Sequence, residues 1–290
     1  MLRKIVRKIA ILLEMIKFKL TVFALPFALM GAFLAGRGAP DGMTFLWVVL
    51  AMVGARTCAM GFNRIVDRHF DSNNPRTAGR AIPSGEVRLV EAWSMVVVAG
   101  LLFFFACYNL NELTLQLAPF ALALTLFYSL TKRFTSFCHL VLGVALAFSP
   151  LGGWVAVTGS LSAFPWVLSL GVLFWVAGFD TIYACLDADF DKDAGLHSLP
   201  SRLGRENGFR LAVGFHLLAF ILFVLTGVQS HLNHWYYIGV ALTAAVLFYQ
   251  HLVVNPRDLS RIQGSFFSLN GVISLTLFAA TWLSLLTGKD

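Results

Sequence analysis

Nine apolar runs divide the chain, at roughly 18–36, 44–65, 91–109, 113–131, 135–158, 165–186, 210–228, 235–254 and 266–286. Each is close to the ~20 residues that a helix needs to cross a hydrocarbon core. In lipid, every backbone N–H and C=O must be satisfied within its own segment, so runs of this length predict helices rather than strands. Charged residues make up only 13% of the 290 residues, against about 25% in a soluble domain. The fold class predicted is all-α: a polytopic membrane protein with nine transmembrane helices, read as one domain over residues 1–290.

The charges are sorted by loop. Nineteen of the 22 Lys and Arg residues fall before the first run or in alternate loops: up to Lys19, from Arg64 to Arg88, at Lys132–Arg133, from Lys192 to Arg210, and at Arg257 and Arg261. The opposite loops hold only Arg37 and the terminal Lys289, while Arg56 lies inside a run. By the positive-inside rule the N-terminus and these basic loops are cytoplasmic, and nine spans put the C-terminus on the other side. The same sorting accounts for the net charge of +7 without a nucleic-acid partner. Residues before Phe18 mix Lys4, Arg7, Lys8 and Lys17 with apolar positions. They predict either a helix on the membrane surface or a frayed basic terminus. No small-residue cleavage site follows a short apolar core, so the first run is expected to be retained. Cys58, Cys107, Cys138 and Cys185 have neither CxxC nor zinc spacing and read as small core residues.

Two acidic stretches break this pattern, at the ends of runs that face the same side. Asn63, Asp67 and Asp71 are spaced i, i+4, i+8 and share one helical face. Asp180, Tyr183, Asp187 and Asp191 repeat the four-residue spacing at the end of the sixth run. Carboxylates at a membrane helix end are costly unless something cationic satisfies them. Hard oxygen ligands of this kind suit Mg²⁺, held through carboxylates plus substrate phosphates. Arg64, Arg68, Arg76, Arg80, Lys132 and Arg202 are interleaved nearby and are candidates for holding phosphate oxygens. The bland alternative is that these charges only solvate loops and set topology; for Arg88, Arg205, Arg210, Arg257 and Arg261 that reading suffices. Arg56, two turns before Asn63, needs an anionic partner. That partner is a substrate carboxylate or an internal pair with Asp180 or Glu14.

With these residues in place, the chain resembles the UbiA superfamily of membrane aromatic prenyltransferases. NxxxDxxxD is Asn63/Asp67/Asp71, continued by the stretch from Arg76 to Gly85. DxxYxxxDxxxD is Asp180/Tyr183/Asp187/Asp191, and YxxxK is Tyr128/Lys132. The resemblance covers nearly the whole chain. It implies nine helices around a central cavity, in a bacterial inner (plasma) membrane. It also implies transfer of a polyprenyl group from polyprenyl diphosphate to a small aromatic acid, in ubiquinone or menaquinone biosynthesis, with Mg²⁺ as cofactor. Asn63, Asp67, Asp71, Asp187 and Asp191 are then the metal-side residues, and Arg56 lies where 4-hydroxybenzoate enzymes hold the acceptor carboxylate. Gly195-Leu-His197-Ser198 departs from the Gly-x-Lys-Ser of many ubiquinone-pathway members and is similar to the futalosine-route subgroup. His197 is read either as a diphosphate contact or as a loop cap.

The expected reaction ionises the diphosphate to an allylic cation that attacks the ring ortho to the phenol. Tyr128 and Tyr183 are the aromatic faces placed to stabilise it, and Asp180 and Asp191 are candidates for the base. The rivals are another acceptor (dihydroxynaphthoate, homogentisate, haem or a sugar phosphate) and a transporter, in which intramembrane acids line an ion path. Chain length of the prenyl group and oligomeric state are not readable from the pattern.

Overall fold

The computed structural model of the chain describes residues 2–17, 24–256, 258–260 and 262–288. Its helices are α1 (Leu2–Met15), α2 (Leu25–Ala35), α3 (Gly42–Val66), α4 (Arg68–Asn73), α5 (Leu89–Tyr108), α6 (Glu112–Thr131) and α7 (Cys138–Thr158). They continue as α8 (Trp166–Ala184), α9 (Ala188–Asp193), α10 (Leu199–Leu203), α11 (Arg205–Gln229), α12 (His234–Val253) and α13 (Ile262–Thr287). Among the described residues, eight helices are long and apolar enough to cross a membrane. They match the predicted runs from 44–65 onward to within a few residues at most ends. The largest extensions are five residues at the start of α11 and four at the start of α13. The first predicted run, 18–36, is represented by the shorter apolar helix α2. Its residues 18–23 lie outside the described residues, as do Lys19, Arg257, Arg261 and Lys289 of the charge count.

Why the helices begin where they do is readable locally. Asp41 accepts from the N–H groups of Met43 and Thr44 at 3.0 Å and caps α3. Asn111 caps α6 through Thr114 N–H at 2.9 Å, and its amide also donates to the Val155 carbonyl of α7 at 2.7 Å. One cap therefore ties two helices. Without a hydrophobic driving force in lipid, helices associate through close backbone approach at small residues. At α2 and α7 that approach is extreme. A Cβ built on Gly31 would lie 1.9 Å from the Pro150 carbonyl oxygen, and one on Gly153 would lie 1.8 Å from that of Ala28.

The core falls into two main clusters. One joins α2, α8, α11, α12 and α13 around Phe27, Trp175, Phe223 and Tyr236, all fully buried. The other joins α1, α3, α5 and α6 through Met15, Cys58, Ala92, Val96 and Leu122. All four cysteines are buried and unbridged, as core residues should be. Helix α1 is formed rather than frayed. Its Ile11 and Leu12 pack on the second cluster, while Lys8 reaches Glu91 at 2.7 Å and the Glu86 carbonyl at 2.8 Å.

Candidate active site

The first acidic motif is not on one continuous helix, as the four-residue spacing suggested. Helix α3 ends at Val66, Asp67 sits between helices with φ −90° and ψ 1°, and α4 restarts at Arg68. The second motif does the same: Asp187 ends a single 3-10 turn (Cys185–Asp187) with φ −107° and ψ 3° before α9. Both middle aspartates occupy the bridge region of backbone space, which active-site residues often visit. The break lets each motif turn over the end of its span. The Asp71 N–H still bonds the Asp67 carbonyl at 2.8 Å, so the offset is small.

The loop that follows α4 carries the first motif across to the second. Asn74 donates to Asp187 Oδ1 at 2.9 Å, and Arg76 Nε donates to the same oxygen at 2.8 Å. A second Arg76 nitrogen pairs with Asp187 Oδ2, making the contact bidentate. The remaining nitrogen donates to Tyr183 Oη at 3.0 Å, with the guanidinium 5.3 Å from that ring's centre. Arg80 pairs with Asp71 Oδ1 at 2.6 Å. The end of α6 completes the link. Lys132 Nζ lies 2.7 Å from Asp191, and Arg133 lies 3.5 Å from Asp67. Two consecutive residues thus clamp one aspartate from each motif. Asn63 Nδ2 donates to Asp67 Oδ2 at 2.9 Å, and Ser198 Oγ donates to Asp191 Oδ2 at 3.1 Å.

Burial, then the neighbouring Asp71 carboxylate, pushes the Asp67 pKa above the ordinary carboxylate value, against the pull of Arg133 and Lys132. Burial works against the charge on Arg76 and on Lys132. Hydrogen-bonded pairing with Asp187 and with Asp191 outweighs it, and both pKa values stand above their ordinary ones.

These groups rim a cavity of about 1230 Å³. Asn63, Asp67, Asp71, Arg76, Arg80, Tyr128, Lys132, Asp180, Tyr183, Asp187 and Asp191 line it together, as predicted for one site. Its depth is apolar, walled by Val48, Met52, Phe103, Leu122, Leu146 and Phe148 among others. Arg56 also lines it. Its Nε is buried with no hydrogen-bond partner among the described residues. Asp180 pairs with His139 and Glu14 with Lys17, so the internal pair considered for Arg56 is not the arrangement found.

Three predicted site residues do not line the cavity. Arg68 donates to the Ile65 carbonyl at 2.9 Å and borders a separate shallow surface pocket. Arg202 is exposed on α10. His197 is exposed and serves the loop through its backbone: its N–H bonds the Lys132 carbonyl at 2.7 Å. Conversely, Arg133, Asn74, His139 and Ser198 enter the site without having been singled out. Arg133 adjoins the YxxxK lysine and Asn74 follows Asp71 by three residues, but nothing local marks either as a carboxylate partner.

The donor set fits a hard divalent cation. Asp71 Oδ2 is buried with no hydrogen-bond partner among the described residues, a state a carboxylate oxygen tolerates poorly. Among the described residues no three His, Cys, Asp or Glu groups converge as a ready-made metal cage.

Fold and site together define an integral membrane protein with an acid- and base-rimmed mouth over an apolar chamber. The chain belongs to the UbiA prenyltransferase family, matching it over residues 24–272. It is 32% identical over 253 residues to the 4-hydroxybenzoate octaprenyltransferase of Aeromonas hydrophila, covering 87% of this chain and 88% of that protein. It is 34% identical over 226 residues to the enzyme of the same name from Aeromonas salmonicida, covering 78% of each. Its fold is similar to the apo structure of a UbiA homolog from Aeropyrum pernix K1, with TM-score 0.84, 35% identity, and coverage of 91% of this chain and 97% of that one. A UbiA homolog from Archaeoglobus fulgidus, bound to GPP and Mg²⁺, shares the fold at TM-score 0.74 and 19% identity, covering 96% and 100%.

Proposed function

We propose that the protein transfers a polyprenyl group from polyprenyl diphosphate to 4-hydroxybenzoate or a similar small aromatic acid, with Mg²⁺, as a step toward ubiquinone or menaquinone. The observation that carries this reading is the cavity itself: paired carboxylates and cations at the mouth, an apolar depth of prenyl character, and an unpartnered arginine in the wall. The relatives named 4-hydroxybenzoate octaprenyltransferase support the acceptor. The GPP- and Mg²⁺-bound archaeal homolog supports the donor and the metal.

The residues divide the work. Asp67, Asp71, Asp187 and Asp191 would hold Mg²⁺, with Asn63 orienting Asp67. When bound, the ion neutralises charge that grows on the diphosphate as the C–O bond breaks. Arg76, Arg80, Lys132 and Arg133 exchange their present carboxylate partners for phosphate oxygens, anionic acceptors that guanidinium and ammonium groups bind equally well. The prenyl tail fills the apolar depth, where the cation is kept from water. Tyr128 and Tyr183 offer ring faces to it. Arg56 takes the acceptor carboxylate. The charge bias supports a mouth on the cytoplasmic side, in the inner membrane that the proposed function calls for.

The test is a product assay with membranes carrying the protein, 4-hydroxybenzoate, a medium-chain prenyl diphosphate and Mg²⁺. Prenylated acid detected by mass spectrometry, and lost both with EDTA and in Asp67→Ala, is the expected result. Metal-dependent diphosphate release without that product would redirect the acceptor to futalosine-route aromatic acids. Neither product nor diphosphate across several chain lengths would overturn the reading.

A further inference from the structure

Four of the five aspartates of the two motifs have a lysine or arginine partner; Asp180 does not. Among the described residues its partner is His139, whose Nδ1 lies 2.7 Å from Asp180 Oδ2. His139 is buried on α7, 2% exposed, while Asp180 remains partly open to the cavity. The other imidazole nitrogen decides the protonation state. Leu199 N–H, at the first position of α10, points to His139 Nε2 at 3.3 Å. A backbone N–H can only donate, so Nε2 must accept and carries no proton. Nδ1 then bears the hydrogen and donates it to Asp180. In this arrangement the imidazole faces Asp180 as a hydrogen-bond donor.

We infer that Asp180 is the base that removes the ring proton, and that His139 is a positioning residue that holds its carboxylate in place. This rests on the proposed function. After the new C–C bond forms, the same ring carbon still carries its hydrogen. That C–H bond breaks, its electron pair restores the aromatic ring, and the proton goes to Asp180 Oδ1, which has no partner among the described residues. The proton then leaves to water when product and diphosphate depart. Such a partner suits this role. It orients the carboxylate by a hydrogen bond from a ring nitrogen, where the other four aspartates meet the side chains of Arg and Lys. Besides the Leu199 N–H and its neighbour Cys138, the carboxylate of Asp180 is the polar group that His139 meets among the described residues.

The experiment compares the parent protein with His139→Leu, His139→Gln and Asp180→Asn. Three quantities are read: prenylated product, prenyl diphosphate binding, and the isotope effect of deuterium at the ring carbon attacked. Glutamine supplies one N–H donor and one C=O acceptor, matching neutral imidazole, and should keep product formation within a few-fold. Leu should lower kcat by about 10- to 100-fold, the usual cost of removing an orienting partner. It should leave diphosphate binding intact and introduce a ring-deuterium isotope effect that the parent lacks. Asp180→Asn should lose about 10²- to 10⁴-fold. The dyad is overturned if His139→Leu prenylates like the parent, if it loses diphosphate binding in step with kcat, or if His139→Gln falls as low as His139→Leu. A parent that releases diphosphate with Mg²⁺ but prenylates no aromatic acid overturns the proposed function itself, and the dyad with it.

Discussion

Arg56 illustrates what a single residue's environment can say. A guanidinium with a buried, unpartnered Nε in a membrane cavity is expensive to keep, and the cost is recovered when an anion arrives. Arg56→Ala should raise the KM for the aromatic acid about 10-fold or more, the worth of a charged hydrogen bond. The KM for prenyl diphosphate should change little; equal effects in steady-state kinetics would remove Arg56 from the acceptor site. Its lack of an internal partner could not be read from residue spacing, because Asp180 and Glu14 were equally eligible until packing gave them His139 and Lys17. The same holds for Arg133 and Asn74. Both are ordinary polar residues in sequence, and only the fold sets them 3.5 Å from Asp67 and 2.9 Å from Asp187.

Elements were the most legible level. Hydropathy runs place the spans because the bilayer imposes one length on all of them. Two features escaped it. The first is the break at Asp67 and again at Asp187, since a four-residue spacing is satisfied equally by a continuous helix and by one interrupted for a single residue. The second is how tightly α2 and α7 cross. Gly31 and Gly153 look like unremarkable helix glycines, yet each faces the other helix's backbone at a distance no Cβ can share. Gly153→Ala should therefore destabilise the protein by about 1–3 kcal/mol, the usual cost of overpacking. The readout is a lower unfolding midpoint in detergent. Gly152→Ala is the matched control, since a Cβ there meets nothing within 4 Å. If both variants melt with the parent, the crossing is looser than described.

At the scale of the whole molecule, the cavity belongs to α1–α3 and α5–α8, with the α3–α4 and α9 motifs at its mouth, while α11 packs on α8, α13 on α2, and α12 between them. The charge bias and the site share one side of the bundle, which makes orientation testable. All four native cysteines are buried, so they give little background to a membrane-impermeant maleimide. A cysteine at exposed Ser72, beside the first motif, should label only in inverted vesicles. One at exposed Ser162, between α7 and α8, should label only from the outside. The reverse pattern would invert the topology.

The sequence by itself determined that the chain spans a bilayer as helices, that its Lys and Arg gather in alternate loops, and that two acidic motifs stand at the ends of spans. These follow from local properties: the length of an apolar run, the repeat of an α-helix, and the cost of a carboxylate at a membrane surface. Only the tertiary structure decided which cation meets which carboxylate, that Arg68, Arg202 and His197 stand outside the cavity, and that Asp180 meets His139. Those are matters of convergence between segments dozens of residues apart. Periodicity along one helix carries no information about which face of another helix it will meet.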